Sequence, residues 1–271
     1  MEAHMGLEGK VAIVTGGSRG IGFAVARRFY LRGARVVLVA RSSDDLRRAV
    51  KTMITEMREQ LGRSPEGSPE PSSPAGSGQR APGPVPVAAP LDVTDERAVR
   101  GLFSRAVREY GRVDLLVNGA GTLTRGEVID LELSDWRQSL EVNLTGVFLC
   151  AREAVRVMLA QQPGDDGLRG HIVQIVSGAG VHGWPGHAAY AAAKHGVMGL
   201  SDTLREEVRG RGIKVSDVLP GMVATAMTDL RDFAERPKLE PDDVARAVLA
   251  VADTSARTMI TRIDVRHRLP K

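Results

Sequence analysis

The stretch TGGSRGIG, residues 15–22, decides the fold of this chain. It follows the apolar, β-branched run Val11–Thr15 and precedes a segment whose apolar residues have helical spacing. Gly16 can take a tight turn, Gly20 lets the backbone approach an anion, and Gly22 allows the helix to pack closely on the strand. Because the free N–H groups at the start of a helix attract phosphate, this turn predicts a nucleotide-binding site after the first strand.

Similar apolar runs recur along the chain and are separated by longer amphipathic segments. Strands are expected at Val11–Thr15, Arg35–Ala40, Val85–Pro90, Val113–Asn118, His171–Ser177, Ile213–Leu219 and, at the sheet edge, Met259–Arg266. Helices are expected at Gly22–Leu31, Asp44–Leu61, Asp95–Tyr110, Ser134–Leu159, Ala188–Arg209 and Pro241–Ala252. This alternation predicts the α/β class: a single-domain, doubly wound Rossmann sheet of about seven parallel strands with helices on both faces, spanning residues 6–271.

The segment 63–90 interrupts this alternation. It contains eight of the fourteen prolines, and serine, glycine and alanine make up most of the rest. Such a composition buries too little apolar surface to offset the entropy that is lost on ordering. Residues 63–84 are therefore predicted to be a disordered insertion, with a proline-rich docking site for partner proteins as the alternative. Residues 1–5 are predicted to be a disordered end or the remnant of a tag.

Composition argues against several other classes of protein. The net charge is +4 and the pI is about 9.5, but the arginines are interleaved with acidic residues and lack the aromatic platforms of nucleic-acid-binding proteins. No run reaches the ~18 consecutive apolar residues of a membrane span. The only cysteine, Cys150, lies in an apolar run and is predicted to be a core thiol. These features favour a cytoplasmic protein without disulfides or a metal site, which binds neither nucleic acid nor membrane.

The segment YAAAK, residues 190–194, carries the candidate chemistry. Residues four apart on a helix lie on the same face, so Tyr190 and Lys194 should be neighbours. A nearby ammonium should lower the pKa of the phenol from its ordinary value near 10, which would make Tyr190 a usable acid and base. Tyrosine and lysine at this spacing are common on helices, so the pair alone does not establish a site.

The order of motifs around this pair resembles the short-chain dehydrogenase/reductase family over nearly the whole chain. The glycine turn has the family pattern TGxxxGxG, and Ser177 precedes Tyr190 by the family's separation of 13 residues. The resemblance implies a catalytic set of Asn143, Ser177, Tyr190 and Lys194. In that set the serine orients the substrate oxygen, the tyrosine transfers the proton, the lysine holds the nicotinamide ribose and tunes the tyrosine, and the asparagine supports a proton-carrying water.

The second predicted strand ends in arginine where NAD-binding units place an acidic residue. Arg41 can bind the 2′-phosphate of the cofactor by charge-assisted hydrogen bonds, and Arg19 can approach the same phosphate from the glycine turn. NADP(H) is therefore the expected cofactor. The segment NGAG, residues 118–121, resembles the family's NNAG motif, with Gly119 in place of the second asparagine. The full predicted cofactor set is Gly16, Ser18, Arg19, Gly20, Ile21, Gly22, Arg41, Ser42, Asp92, Val93, Asn118, Ala120, Gly121, Tyr190, Lys194, Pro220, Gly221, Val223 and Thr225.

By this resemblance the protein reduces a ketone or aldehyde, or oxidises the corresponding alcohol, by direct hydride transfer. Residues 178–187 and 222–237 should wall the site for a small carbonyl or alcohol substrate, and they include Val181, Trp184, Met222, Met227 and Phe233. His182 and His187 are expected to be solvated. Members that resemble 3-oxoacyl-carrier-protein reductases and serine dehydrogenases both remain open. The resemblance also implies a homodimer or homotetramer, and a non-catalytic NADP-binding sensor or a scaffold is the alternative function.

Overall fold

A computed structural model describes residues 6–62, 84–229 and 236–268. The predictions for residues 1–5, for residues 63–83 of the insertion and for Phe233 of the substrate wall lie outside these ranges. In the described part of the chain, no helix combines the length and the apolar character that crossing a bilayer requires.

The strands and helices alternate along the chain. The strands are β1 (Val11–Thr15), β2 (Arg35–Ala40), β3 (Val87–Pro90), β4 (Leu115–Asn118), β5 (Gly170–Ile175), β6 (Ile213–Pro220) and β7 (Arg262–Val265). The α-helices are α1 (Gly20–Leu31), α2 (Ser43–Gly62), α3 (Glu96–Tyr110), α4 (Leu133–Leu140), α5 (Gly146–Ala160), α6 (Ala188–Val208) and α7 (Pro241–Ala252). A π-helical segment, Glu141–Thr145, joins α4 to α5.

All seven strands form one parallel sheet in the order β3-β2-β1-β4-β5-β6-β7. The chain moves outward from β1 to β3 and then returns to place β4 on the other side of β1. This reversal opens a crevice at the carboxyl ends of β1 and β4, which is where doubly wound sheets bind their ligands. The predicted fold class is confirmed.

The sheet buries apolar residues on both of its faces. Along β1, Val14 packs with Phe29 and other residues of α1, α2 and α7, whereas its neighbour Ile13 packs with Phe103 and Met158 of α3 and α5 on the opposite face. Successive strand residues point to opposite faces, so two helical layers enclose the sheet. This double coverage explains why the central strands are apolar throughout instead of alternating with polar residues.

The structure corrects the predicted helix Ser134–Leu159. This segment consists of α4, the π-helical segment and α5, and Asn143 lies in the π-helical segment. Apolar periodicity could not show the wider turn, because the segment is short and the helices continue on both sides. Single π turns are frequent at functional sites.

Smaller differences lie at the ends of the strands. The fourth strand begins at Leu115 instead of Val113, because the backbone N–H and carbonyl of Val113 bond with the side chain of Gln161, at 3.1 and 3.0 Å. The edge strands β3 and β7 are also shorter than predicted. None of these differences moves a predicted site residue away from the carboxyl edge of the sheet.

Candidate active site

The glycine turn after β1 is closed by contacts that only glycine permits. Gly16 has φ +67°, and a Cβ built on it would lie 2.6 Å from the carbonyl oxygen of Gly119. A Cβ on Gly22 would overlap the carbonyl oxygen of Gly16, and a Cβ on Gly119 would lie 2.8 Å from that of Thr15. The hydroxyl of Thr15 accepts hydrogen bonds from the N–H groups of Gly119 and Ala120, both at 3.1 Å. The loop after β4 is therefore fixed directly against the turn.

In the family pattern an asparagine stands at position 119, so the sequence indicated only that Gly119 lacks the contact of that side chain. The structure explains why glycine stands here: the carbonyl of Thr15 lies too close to leave room for a side chain. The sequence did contain a signal for this contact. Glycine occurs at positions 16, 22 and 119, and a doubly wound sheet brings the loops after its first and fourth strands together.

Other loops with predicted cofactor residues meet the same turn. The N–H of Gly17 donates to the carbonyl of Val39 in β2 at 3.0 Å. A Cβ on Gly20 would lie 3.2 Å from Cγ2 of Thr225, which follows β6. The loops after β1, β2, β4 and β6 thus enclose one crevice at the carboxyl edge of the sheet.

Two arginines stand exposed at this crevice, Arg19 on the turn and Arg41 at the end of β2. The acidic residues nearest to Arg41 along the chain, Asp44 and Asp45, form ion pairs with arginines of their own helix. The positive charge at the end of β2 is therefore not neutralised by these two acids. A basic crevice of this kind favours an anionic group near Arg41.

Two of the predicted cofactor residues already have bonding partners within the protein. The hydroxyl of Ser42 accepts a hydrogen bond from the N–H of Asp45 at 3.2 Å and so stabilises the first turn of α2. The carboxylate of Asp92 accepts from the N–H and the hydroxyl of Thr94, at 3.0 and 2.8 Å. Both side chains therefore have a local structural role, and their contact with a cofactor stays a prediction.

Ser177 lies two residues after the end of β5 and has an unusual backbone conformation. Its φ of +152° and ψ of +161° fall in a region that is occupied almost only by glycine and that costs roughly 1–3 kcal/mol for other residues. The hydroxyl accepts from the N–H of Ala179 at 3.1 Å, and its interaction with the phenol lowers the pKa of Tyr190 against the larger effect of burial. The contact between the two side chains brings the predicted serine and tyrosine together, and strained backbone of this kind is concentrated at functional sites.

Lys194 is buried one helical turn after Tyr190, with 4% of its surface exposed. Its Nζ donates to the carbonyl of Ile175 in β5 at 3.0 Å and lies 5.7 Å from the centroid of the Tyr190 ring. Burial lowers the pKa of Lys194 to about 8. The ammonium thus faces the phenol from inside the protein, as the spacing predicts.

The expected lowering of the Tyr190 pKa by this lysine is wrong in direction. Burial raises the pKa of Tyr190 above its ordinary value, and the hydrogen bond with Ser177 offsets only part of that rise. Desolvation disfavours the phenolate, whereas the lysine directs its Nζ to the carbonyl of Ile175. Sequence spacing indicates which groups are neighbours but not how much water they lose.

Asn143 ties the π-helical segment to the loop after β4. Its Oδ1 accepts from the N–H of Thr122 at 3.1 Å, and its Nδ2 donates to the carbonyls of Thr122 and Ser139, at 2.9 and 3.0 Å. A Cβ on Gly121 would lie 2.9 Å from the same Oδ1. The side chain is therefore a positioning group, and the support of a water remains a prediction.

The predicted substrate wall lies beside these residues. Trp184 and Met227 are 46% and 37% exposed, and His182 contacts Trp184 edge to face, with ring centroids 6.2 Å apart. A feature that the sequence did not indicate is Thr228, whose hydroxyl hydrogen-bonds with Val223 and Thr225 and so braces the loop after β6. Among the described residues, no group of three or more His, Cys, Asp or Glu side chains could hold a metal ion.

A doubly wound sheet with a glycine turn after β1 and a serine, tyrosine and lysine at the carboxyl edge defines a class of oxidoreductases. The family model described as short chain dehydrogenase matches residues 10–63 and 76–235, and the chain belongs to this family.

Known relatives agree with this assignment over almost their whole length. A 3-oxoacyl-[acyl-carrier-protein] reductase of Thermotoga maritima is 33% identical and the match covers 92% of each chain. An uncharacterized oxidoreductase of Staphylococcus aureus (strain MRSA252) is 30% identical, with 96% of this chain and 98% of the relative covered. The crystal structure of a metagenomic short-chain oxidoreductase in complex with NADP superposes with a TM-score of 0.76 at 31% identity, covering 97% of this chain and 100% of the other.

Proposed function

We propose that this protein is an NADP(H)-dependent carbonyl reductase of the short-chain dehydrogenase family, with Tyr190 as general acid and base. The observation that carries the proposal is the convergence of Ser177, Tyr190 and Lys194 between β5 and α6, where the serine lowers the pKa of the phenol and the ammonium lies 5.7 Å from the centroid of its ring. The substrate is a ketone or aldehyde, or the corresponding alcohol in the reverse direction.

The residues of the crevice fit a dinucleotide. The glycines of the turn keep side chains away from part of the backbone at the start of α1, where N–H groups stabilise a pyrophosphate. Arg19 and Arg41 supply positive charge for a 2′-phosphate, and an NADP complex is known for the relative of known structure. The predicted set from Gly16 to Thr225 would hold this cofactor, and NADPH, when bound, supplies the hydride for the carbonyl carbon.

The chain's own groups then handle the oxygen and the proton. Ser177 orients the carbonyl oxygen by a hydrogen bond, and Tyr190 donates its proton to the developing alkoxide. The pKa of Tyr190 lies above its ordinary value, so the phenol is protonated at neutral pH and holds the proton that the reductive direction consumes. Lys194 has donors left for a ribose hydroxyl, because an ammonium has three and Ile175 takes one. Asn143 supports the path by which the proton is replaced.

The assembly we propose is a homodimer or homotetramer of a single-domain protein in the cytoplasm. Apolar side chains that are exposed in the isolated chain support self-association, since Phe148 on α5 is 42% and Leu133 on α4 is 57% exposed. These helices lie beside the π-helical segment that carries Asn143, so association would also stabilise the site.

Replacing Tyr190 with phenylalanine tests the mechanism. The change removes only the phenolic oxygen, so we expect NADPH binding and melting temperature to stay close to those of the parent. Turnover should fall by about 10²–10⁴-fold, because the variant lacks the acid that we assign to protonation of the alkoxide. The measurement is a carbonyl screen that follows NADPH absorbance, with NADPH affinity by fluorescence. Retention of most of kcat would refute the mechanism, and NADPH binding without turnover of any carbonyl in the parent would favour the sensor.

Replacing Arg41 with aspartate tests the cofactor. The carboxylate would repel a 2′-phosphate and can bond a free ribose hydroxyl, so the ratio of NADPH to NADH affinity should fall by about 10²-fold or more. Arg257→Asp is the matched control, because it makes the same charge change at an exposed arginine after α7, near the amino edge of the sheet. An equal effect of Arg41→Asp on both cofactors would contradict the assignment.

A further inference from the structure

Arg266 follows the last strand of the sheet and reaches the backbone of Gly178, in the predicted substrate wall beside Ser177. It follows β7 at the carboxyl edge, and the carbonyl of its neighbour Val265 accepts from the N–H of Gly221 at 2.8 Å. A Cβ built on Gly178 would lie 2.5 Å from Nη1 and 3.0 Å from Nη2 of Arg266. The guanidinium therefore occupies the side-chain position of the residue that directly follows Ser177.

The same position is shared with an aromatic side chain. Cη2 of Trp184 would lie 3.1 Å from that Cβ, so the ring and the guanidinium meet over the backbone of Gly178. Cδ of Arg266 also lies 3.5 Å from the Cβ position of Gly221, the residue after β6. Arg266 thus sits between the loop that carries the catalytic serine and the loop predicted to contact the nicotinamide.

The guanidinium keeps a net positive charge in this position. Asp264 accepts from Nη2 of Arg266 at 2.9 Å, but the same carboxylate also accepts from Nε of Arg262 at 3.2 Å. Two arginines share one acid, so the group carries an excess of one positive charge. With 43% of its side chain exposed, Arg266 can still meet a ligand from solvent.

We propose that Arg266 selects substrates that carry a carboxylate, so that the reaction is the interconversion of an oxo acid and a hydroxy acid. The inference rests on the proposed function, since it places the reacting carbonyl at Ser177 and Tyr190. A planar guanidinium binds a carboxylate through two parallel hydrogen bonds, and Trp184 shields the pair from water on one side. The glycine at 178 is required because any side chain there would displace the guanidinium.

The test compares acids with their neutral esters. Pyruvate, acetoacetate and levulinate have their keto carbon one, two and three bonds from the carboxylate carbon. Each acid is assayed with NADPH and compared with its methyl ester. For the preferred chain length, kcat/KM of the acid should exceed that of the ester. In Arg266→Met the ratio of acid to ester should fall by about 10- to 100-fold, chiefly through KM.

Arg262→Met is the matched control. It removes the same charge from the same carboxylate partner, and Arg262 is 44% exposed, yet it lies at the other end of β7, away from Gly178. The ratio of acid to ester should stay within about twofold of the parent. If the ratio fell equally in both variants, the effect would come from general electrostatics and the carboxylate site would be refuted. An unchanged ratio in Arg266→Met would also overturn the proposal.

A binding measurement separates this inference from the proposed function. In a Trp136→Phe background, Trp184 is the only tryptophan, and titration with 3-hydroxybutanoate should change its fluorescence saturably. The change should be absent in Arg266→Met and with the methyl ester. If the acid binds in this way but no carbonyl is reduced, the proposed function fails and the carboxylate site stands. If ketones are reduced but the acid neither binds nor is preferred, the carboxylate site fails alone.

Discussion

Two buried lysines lie at opposite edges of the same sheet. Lys194 on α6 faces the carboxyl edge, and Lys214 on β6 lies near the amino edge; each has 4% of its surface exposed. Burial lowers the pKa of both ammonium groups, to about 8 for Lys194. Charge and burial therefore do not distinguish the lysine that we propose for catalysis from a structural one in this protein.

The hydrogen-bond partners do distinguish them. Nζ of Lys214 donates to the carbonyl and hydroxyl of Thr254, both at 3.1 Å, and to the carbonyl of Ser255 at 2.6 Å. These three acceptors match the three donors of an ammonium and tie β6 to the chain after α7. Within the described residues, Lys194 donates only to Ile175, so it keeps donors for a ligand.

A cleft at the amino edge of the sheet also contains polar groups whose bonds are made within the protein. It is lined by Lys10, Asp114, His171 and Lys214, among others. Asp114 accepts from the N–H of Val11 at 2.9 Å, and His171 bonds with the hydroxyl of Ser216 at 2.8 Å. Burial, together with the charge of Lys214, lowers the pKa of His171 to about 3 and keeps the ring neutral. Most of these polar groups are bonded to the protein itself, so we place the chemistry at the carboxyl edge.

Lys194→Met should give the larger effect on activity. We expect turnover to fall by about 10²–10⁴-fold and NADPH affinity to fall with it, because both Tyr190 and the ribose lose the ammonium. The folded protein should survive, since methionine fills a similar volume without a buried charge. Steady-state kinetics and NADPH fluorescence are the measurements. If Lys194→Met lost stability but kept its kcat, Lys194 would be a structural lysine and the proposed catalytic role would be wrong.

The pH dependence of the same variant sharpens this result. The pKa of Lys194 is about 8 in the folded protein and near 10.5 when unfolded, so the folded state binds fewer protons between these values. Its contribution to stability therefore rises with pH from 8 to 10.5, by up to roughly 3 kcal/mol. Denaturant unfolding of Lys194→Met should lack that part of the rise.

Lys214→Met should change stability instead of catalysis. Three oxygens would lose a charged donor, so we expect the free energy of unfolding to fall by about 2 kcal/mol and the melting temperature by roughly 4–8 °C. The parameter kcat per folded molecule should remain within about twofold of the parent. A drop in kcat as large as that of Lys194→Met would show that the amino edge takes part in function.

The sequence was a good guide to the parts of the fold that repeat a simple pattern. Strands β1 and β2 and helix α7 begin and end at the predicted residues, because apolar runs and helix-starting proline are local signals. The placement of Ser177, Tyr190 and Lys194 in one site followed from the carboxyl-edge rule and the spacing on a helix.

Features that depend on tertiary approach were not predictable in this way. The contact of Gly119 with Thr15 joins loops 104 residues apart, and Arg266 reaches Gly178 across 88 residues of sequence. The direction of the pKa shift at Tyr190 depends on how much water the folded protein removes, which spacing does not report. Local pattern therefore predicted which of these residues lie together at the carboxyl edge, whereas packing decides their pKa values and contacts.

The π-helical segment lets the continuous helical stretch from Leu133 to Ala160 contain one extra residue. In an α-helix each residue turns the chain by about 100°, so one added residue would redirect every later side chain by that angle. A π turn takes up one extra residue as a local widening, and α4 and α5 keep their facing surfaces on either side. A deletion of one residue within Glu141–Thr145 would thus preserve the register of α5 while removing the turn that aims Asn143 at the loop after β4. Within its length, this segment takes up the extra residue at the point where Asn143 of the candidate site lies.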